Sequence, residues 1–373
     1  NLIYRMGLTK AEWKKYEDTV ILLSEFIKRF PENEDVQSAK NLIQDINEKF
    51  TFKHNMLGCL LPLSGPYTSY GNKILKCIEM ALDQFNSRNR GSLIKLSVKD
   101  TESDPEKAVL AVNELSEERV GAILGPVTTH EAAALVAQEK RIPIITLGQK
   151  ENIATLGDYV FRNFITPEMQ VQALVSYATQ VLEINRFAIL YPDDKYGTTF
   201  MGLFQDEVEA YGGEVIRAQL YPPGQTDFAE PIKKLAQTQT EIPEPLEEKT
   251  ENSSPEPALD FEAVFIPDCP TTSGLLIPQL AFYDVVGVHL FGTNLWHSDR
   301  LIEMTKQFIQ GAIMADGFFA GSNSQKVKDF VEMFEETFDE KPGFIEAVAY
   351  DTAMILFDLV SRNDIQSRSE IKN

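Results

Sequence analysis

The chain has 373 residues, 43% of them hydrophobic, and a formal net charge of -21. That length and apolar share suffice for two or three compact cores, whereas apolar runs such as Val120–Leu124 fall far short of the roughly 20 residues a bilayer-crossing helix needs. The negative charge repels phosphate backbones, no basic stripe with interleaved aromatics offsets it, and Cys59, Cys77 and Cys269 are too scattered for a disulfide scaffold or a zinc site.

The sequence begins at Asn1, without a methionine, signal peptide or lipidation motif, which fits a trimmed region whose native N-terminus lies elsewhere. Tyr16, Val20, Leu23, Phe26, Ile27 and Phe30 recur at helical spacing, Pro31 stops that helix, and Val36, Ala39, Leu42, Ile43 and Ile46 mark a second one. Residues 1–50 are therefore expected to form a helical hairpin. Its turn, Phe30-Pro31-Glu32-Asn33, is similar to that of tetratricopeptide-type repeats. The hairpin is either a cap on the main domain or the end of a solenoid with further repeats before residue 1.

From Met56 onward, short apolar strands alternate with helices about 12 to 20 residues long, which gives an α/β fold with parallel sheets. Strands are predicted at Met56–Pro62, Ile94–Asp100, Ala122–Leu124, Ile144–Thr146, Arg186–Tyr191, Glu214–Leu220, Ala263–Ile266, His289–Gly292 and Gly311–Asp316. Asp104-Pro105-Glu106 marks a helix start, and Thr128 with Glu131 predicts a capping box. Residues 238–260, with Pro243, Pro245, Pro255 and Pro257 among several glutamates, read as a disordered acidic surface loop.

The chain has no Gly-x-Ser-x-Gly elbow, Walker loop, dinucleotide-binding glycine motif, His-x-x-x-His or Cys-x-x-Cys, so its residues support neither an enzyme nor a bound cofactor or metal. His130, at a predicted helix start, is expected to be a solvated first-turn residue. Asp193 and Asp194 are expected to cap a helix rather than to act as a carboxylate pair. Binding is better supported, because in open α/β sheets ligands sit beyond the carboxyl ends of the strands, against backbone N–H groups of the following helices. Ser64-Gly65, Gly125–Thr129, Thr146–Gln149 and Tyr191–Gly197 all occupy such turns.

These residues resemble the type I periplasmic solute-binding proteins, the branched-chain amino-acid receptor group of ABC importers. The resemblance is carried by Leu63-Ser64-Gly65-Pro66 with Tyr70-Gly71, Asp100-Thr101 with Asp104-Pro105, Gly125-Pro126, Ile142–Thr146, Phe161-Arg162, Tyr196-Gly197, Thr226-Asp227-Phe228 and Ala349–Ala353. It implies two doubly wound parallel-sheet lobes that close on a hinge over a small polar ligand, an amino acid or related carboxylate. Lobe 1 is expected at 55–165 and 315–365, and lobe 2 at 166–314. Tyr70, Thr129, Gly148, Gln149 and Tyr196 match positions that hold an amino acid's carboxylate, ammonium and side chain, and Ser64, Thr128, Lys150, Asp268 and Asn294 complete the expected ligand-binding set. Lys150 stands where a threonine is usual and Asn294 where an acidic residue anchors the ammonium, which favours a more anionic ligand than a free amino acid.

The Leu60–Gly65 and Phe291–Trp296 segments, with the preceding hairpin, also look like the penicillin-binding protein activators, lipoproteins that touch a peptidoglycan synthase. In that alternative the lobes are a scaffold and a surface such as Phe282-Tyr283 carries the function. The partner is accordingly an ABC permease or a peptidoglycan synthase, and the expected location is the periplasm or cell envelope, with a lipid anchor through a segment outside this chain. The fold resembled ends with a further strand or two, so either a C-terminal piece is missing from this sequence or the second lobe is completed differently.

Overall fold

The computed structural model describes residues 1–373 except 14, 51, 54, 92, 237–258, 363 and 366, so the acidic loop expected at 238–260 falls outside the described residues apart from Leu259 and Asp260. The chain divides into two compact units, one made of Asn1–Phe164 with Ala320–Asn373 and the other of Ile165–Phe319.

The first unit opens with α1 (Leu2–Glu12), α2 (Tyr16–Arg29) and α3 (Val36–Phe50). The two-helix hairpin expected over 1–50 is thus corrected to three helices. α1 escaped notice because Leu2 and Met6 face solvent, while Ile3, Tyr4 and the buried Gly7 pack against the small core of Leu23, Phe26, Val36 and Ala39. The sheet that follows is built from β1 (Met56–Leu61), β2 (Lys95–Asp100), β3 (Ile123–Leu124), β4 (Ile144–Thr146) and β5 (Val160–Arg162), interleaved with α4 (Thr68–Arg88), α5 (Pro105–Glu117) and α6 (His130–Lys140). The order is β2-β1-β3-β4-β5 and every pairing is parallel. The crossover connections account for the parallel pairing, since a neighbouring parallel strand can be reached only by crossing the sheet. Arg141, just after α6, lies over the Tyr16 ring at 5.3 Å and joins the N-terminal helices to this layer.

In the second unit, α7 (Pro167–Gln180), β6 (Arg186–Pro192), α8 (Lys195–Ala210), β7 (Glu214–Tyr221), α9 (Ala229–Ala236), β8 (Ala263–Ile266), α10 (Pro270–Phe282), β9 (His289–Gly292), α11 (Asp299–Thr305) and β10 (Ile313–Met314) follow in order. The sheet is again parallel, in the order β10-β9-β8-β6-β7. Phe187, Phe204, Phe265 and Phe291 fill one face, with Phe204 stacked on Phe265 at 4.2 Å. Each such ring contributes roughly 1.5–3 kcal/mol by leaving water. The unit ends at Phe319, later than the expected boundary at 314, because β10 pairs with β9 and Asp316 bonds to His297.

The chain then returns to the first unit as α12 (Gln325–Phe338), α13 (Phe344–Ser361) and α14 (Arg368–Lys372). Phe357 of α13 meets Phe85 of α4 at 5.6 Å, and the buried Glu346 pairs with Lys73 at 3.3 Å. Arg368, only 5% exposed, donates from Nε and Nη2 to the Val120 carbonyl at 3.0 and 2.7 Å and so fastens α14 to the entry of β3.

Candidate functional site

In each sheet the parallel strands all end at one edge, and the turns there carry the polar residues singled out in the sequence. On the first unit, Asp100 at the end of β2 organises the turn after β1. Its carboxylate accepts from the N–H groups of Leu63 (2.8 Å), Ser64 (3.3 Å) and Glu102 (2.9 Å) and from the Ser64 hydroxyl (2.6 Å). Burial pushes this carboxyl up, but the bonds outweigh it and hold the group below its ordinary value. The Ser64 hydroxyl is therefore committed to Asp100, although its lone pairs remain able to accept. Tyr70 follows on α4, 47% exposed and 6.4 Å from the Tyr67 ring. Next to it Gly71 is obligatory, because a Cβ there would stand 2.1 Å from the Pro62 carbonyl oxygen.

The turn after β3 runs through Gly125-Pro126-Val127 to Thr128 and Thr129. The capping box expected from Thr128 and Glu131 is absent: α6 starts at His130, and Thr129 precedes it with a left-handed backbone (φ 54°) and no side-chain cap. A capping threonine needs extended backbone, which this turn does not supply. The Thr128 and Thr129 hydroxyl oxygens are instead buried without a partner. Both hydroxyls thus remain able to donate, beside helix N–H groups that favour negative charge.

His130 is not the solvated residue expected. Its ring packs against Gly148 in the turn after β4, where a Cβ would meet Nε2 at 1.9 Å, and Nε2 is buried without a partner. Burial, with Lys150 nearby, pushes the imidazole down to about 4, against a hydrogen bond to the Val127 backbone. Gly148 is buried while Gln149 and Lys150 are exposed. Lys150 reaches Glu131 at 3.5 Å, and such an exposed pair is worth about 0–1 kcal/mol.

On the second unit Asp194 caps α8, accepting from the Gly197 N–H at 2.8 Å, as its position before the helix predicts. Tyr196 donates to the Thr293 hydroxyl at 2.9 Å, and burial pushes its phenol up to about 12. The Asn294 N–H donates to Gln170 Oε1 at 2.8 Å. Gln170 is fully buried, and its Nε2 and the Asn294 Oδ1 both lack partners. Asp268 is held by the Tyr221 hydroxyl at 2.7 Å and by the Cys269 N–H.

The expected residues therefore fall into two sets. Ser64, Tyr70, Thr128, Thr129, Gly148, Gln149 and Lys150 lie on the first unit, and Tyr196, Asp268 and Asn294 on the second. Sequence reasoning missed Gln170 and Tyr221 and misjudged His130. Gln170 sits in the first turn of α7, after Thr166 and Pro167, with nothing in its own neighbourhood to set it apart. Among the described residues no group of three His, Cys, Asp or Glu could hold a metal ion, and no helix is long and apolar enough to cross a membrane.

A family model described as periplasmic binding protein matches residues 56–370. The Leu/Ile/Val-binding protein homolog 3 of Brucella melitensis is 22% identical over half of this chain and 52% of its own length, so the chain spans about half the length of such curated relatives. Among solved structures, a protein of Rhodospirillum rubrum assigned to a branched-chain amino acid ABC transporter superposes with a TM-score of 0.74 at 19% identity, over 85% of this chain and 87% of that one. The branched-chain amino acid transporter substrate-binding protein LivJ of Streptococcus pneumoniae, in complex with isoleucine, gives 0.61 at 21% identity, over 86% and 87% of the two chains. At such identities the likeness is one of fold.

Proposed function

Because this chain belongs to the periplasmic binding protein family, we propose that it is the solute-binding component of an ABC-type importer, located in the cell envelope, and that it is a receptor rather than an enzyme. The ligand is a small carboxylate of amino-acid type. The observation that carries this reading is the pair of buried, unpartnered hydroxyls of Thr128 and Thr129 at the start of α6. Two such groups cost about 1–3 kcal/mol each if left unmade, and a carboxylate would satisfy both. Tyr196, Asp268 and Asn294 are the proposed contributions of the second unit. The matched family and the solute-binding proteins of like fold support a receptor over a partner of a peptidoglycan synthase.

A thermal-shift and calorimetric screen against aliphatic amino acids, dicarboxylates and aromatic acids tests it. A ligand at about 100 times its dissociation constant adds roughly 2.7 kcal/mol, enough to move the midpoint by several degrees. Thr129→Val is expected to weaken the hit about tenfold while raising the unliganded midpoint by a few degrees, since it removes a buried hydroxyl that has no partner. A flat screen on folded protein would sink the receptor reading.

A further inference from the structure

We infer that Arg162 is an anion receptor in the first unit and that the ligand carries a second acid group for it, which makes that ligand a dicarboxylate. The inference rests on the receptor reading and deepens it. Arg162 ends β5, where the parallel register sets it beside Thr146, the last residue of β4. It therefore stands at the strand-end edge from which the Thr128 and Thr129 turn also leaves. The side chain is half-buried, and its Nη1 donates to the Lys150 carbonyl at 3.2 Å, which holds the guanidinium against the turn after β4. Among the described residues it makes no ion pair, and this one bond leaves the Nε and Nη2 edge of the fork unspent.

The carboxylates of this edge leave that charge unmatched. Glu131 is drawn to Lys150 at 3.5 Å, and Glu151 is exposed and forms no ion pair among the described residues. Asp100 lies at the far side of the sheet, on β2, with its oxygens spent on the turn after β1. A half-buried guanidinium without a counter-charge has lost hydration that a carboxylate, accepting two parallel hydrogen bonds, restores. Neighbouring strands lie about 4.8 Å apart, so the ends of β3 and β5, with β4 between them, are roughly 10 Å apart. By reaching Lys150 the guanidinium leans back over the turn after β4 and shortens that span. One carboxylate on the Thr128 and Thr129 hydroxyls and another on Arg162 are thus separated by a short aliphatic chain, as in glutarate. An amide in place of the second acid leaves the guanidinium uncompensated, and the site discriminates against it.

Titration calorimetry of wild type, Arg162→Gln and Arg162→Lys decides the matter, with glutarate and L-glutamate compared against their neutral counterparts, glutaric acid monoamide and L-glutamine. Wild type should bind each diacid at least about tenfold more tightly than its monoamide. Arg162→Gln should lose that preference without weakening the monoamides, and Arg162→Lys, which keeps the charge but not the fork, should keep part of it. A second readout needs no variant: added sodium chloride should weaken wild-type binding of the diacids more than that of the monoamides. Wild type that does not favour the diacids, an Arg162→Gln protein that still favours them, or variants that weaken all four ligands alike would overturn the Arg162 assignment. In each of those cases binding of any acid in the wider screen, L-leucine included, leaves the receptor reading intact. Wild type that binds nothing in the screen would overturn the receptor reading and the Arg162 assignment together.

Discussion

Gly148→Ala should break the contact on which the first unit's binding turn is built. The added methyl would lie 1.9 Å from His130 Nε2, 2.5 Å from Cε1 and 3.0 Å from Cδ2, all inside van der Waals contact. The imidazole must swing away, which forfeits the packing of the ring. Overpacking of this kind costs about 1–3 kcal/mol, so urea unfolding should show a loss of that size. His130→Ala removes the obstacle. The double variant Gly148→Ala/His130→Ala should therefore be no less stable than His130→Ala alone, with a coupling energy of about 1–3 kcal/mol across the cycle. Additive effects within about 0.5 kcal/mol would refute the reasoning, since they would mean that the alanine methyl and the ring never compete for the same space.

Two further perturbations test other parts of the structure. The folded imidazole of His130 titrates at about 4 and an unfolded one near 6.5, so between those values the unfolded chain takes the proton and the folded chain does not; wild type should lose stability relative to His130→Gln as pH falls from 6.5 to 4. Parallel denaturation curves for the two proteins across that window would show the group to be solvated instead. Arg368→Met leaves the Val120 carbonyl without either of its donors and should lower stability by about 1–3 kcal/mol, with Arg368→Lys retaining part, as read by the urea midpoint.

The strands were largely readable from sequence because apolar segments such as Leu57–Leu61 and Ala263–Ile266 are buried runs bounded by turn residues. β5 was not, since three residues at a sheet edge carry no period, and α1 was not, since its exposed leucine and methionine blur the apolar face. The turns that hold Thr129, Gly148 and Tyr196 could be placed by their position after strands. What those turns do to a side chain could not: whether Thr129 caps or faces away depends on one left-handed dihedral angle, and whether His130 is wet or buried depends on Gly148, which is distant in sequence. Gln170 becomes conspicuous only when the N–H of Asn294 arrives at its carbonyl oxygen.

The interrupted course of the chain also bears on how it is made. All five strands of the second sheet lie within one continuous stretch, Ile165–Phe319, so that unit has its whole sheet as soon as its own segment has emerged. The first unit must wait. Its sheet and α4 are complete by Phe164, but α13, whose Phe357 packs on Phe85 of α4, comes only after the entire second unit has been synthesised. At ribosomal rates of about 5–20 residues per second, that face of α4 stays uncovered for roughly 10–40 s. Through that interval the half-built first unit is an aggregation-prone nascent chain, and a chaperone that shields its α4 face would be most needed there.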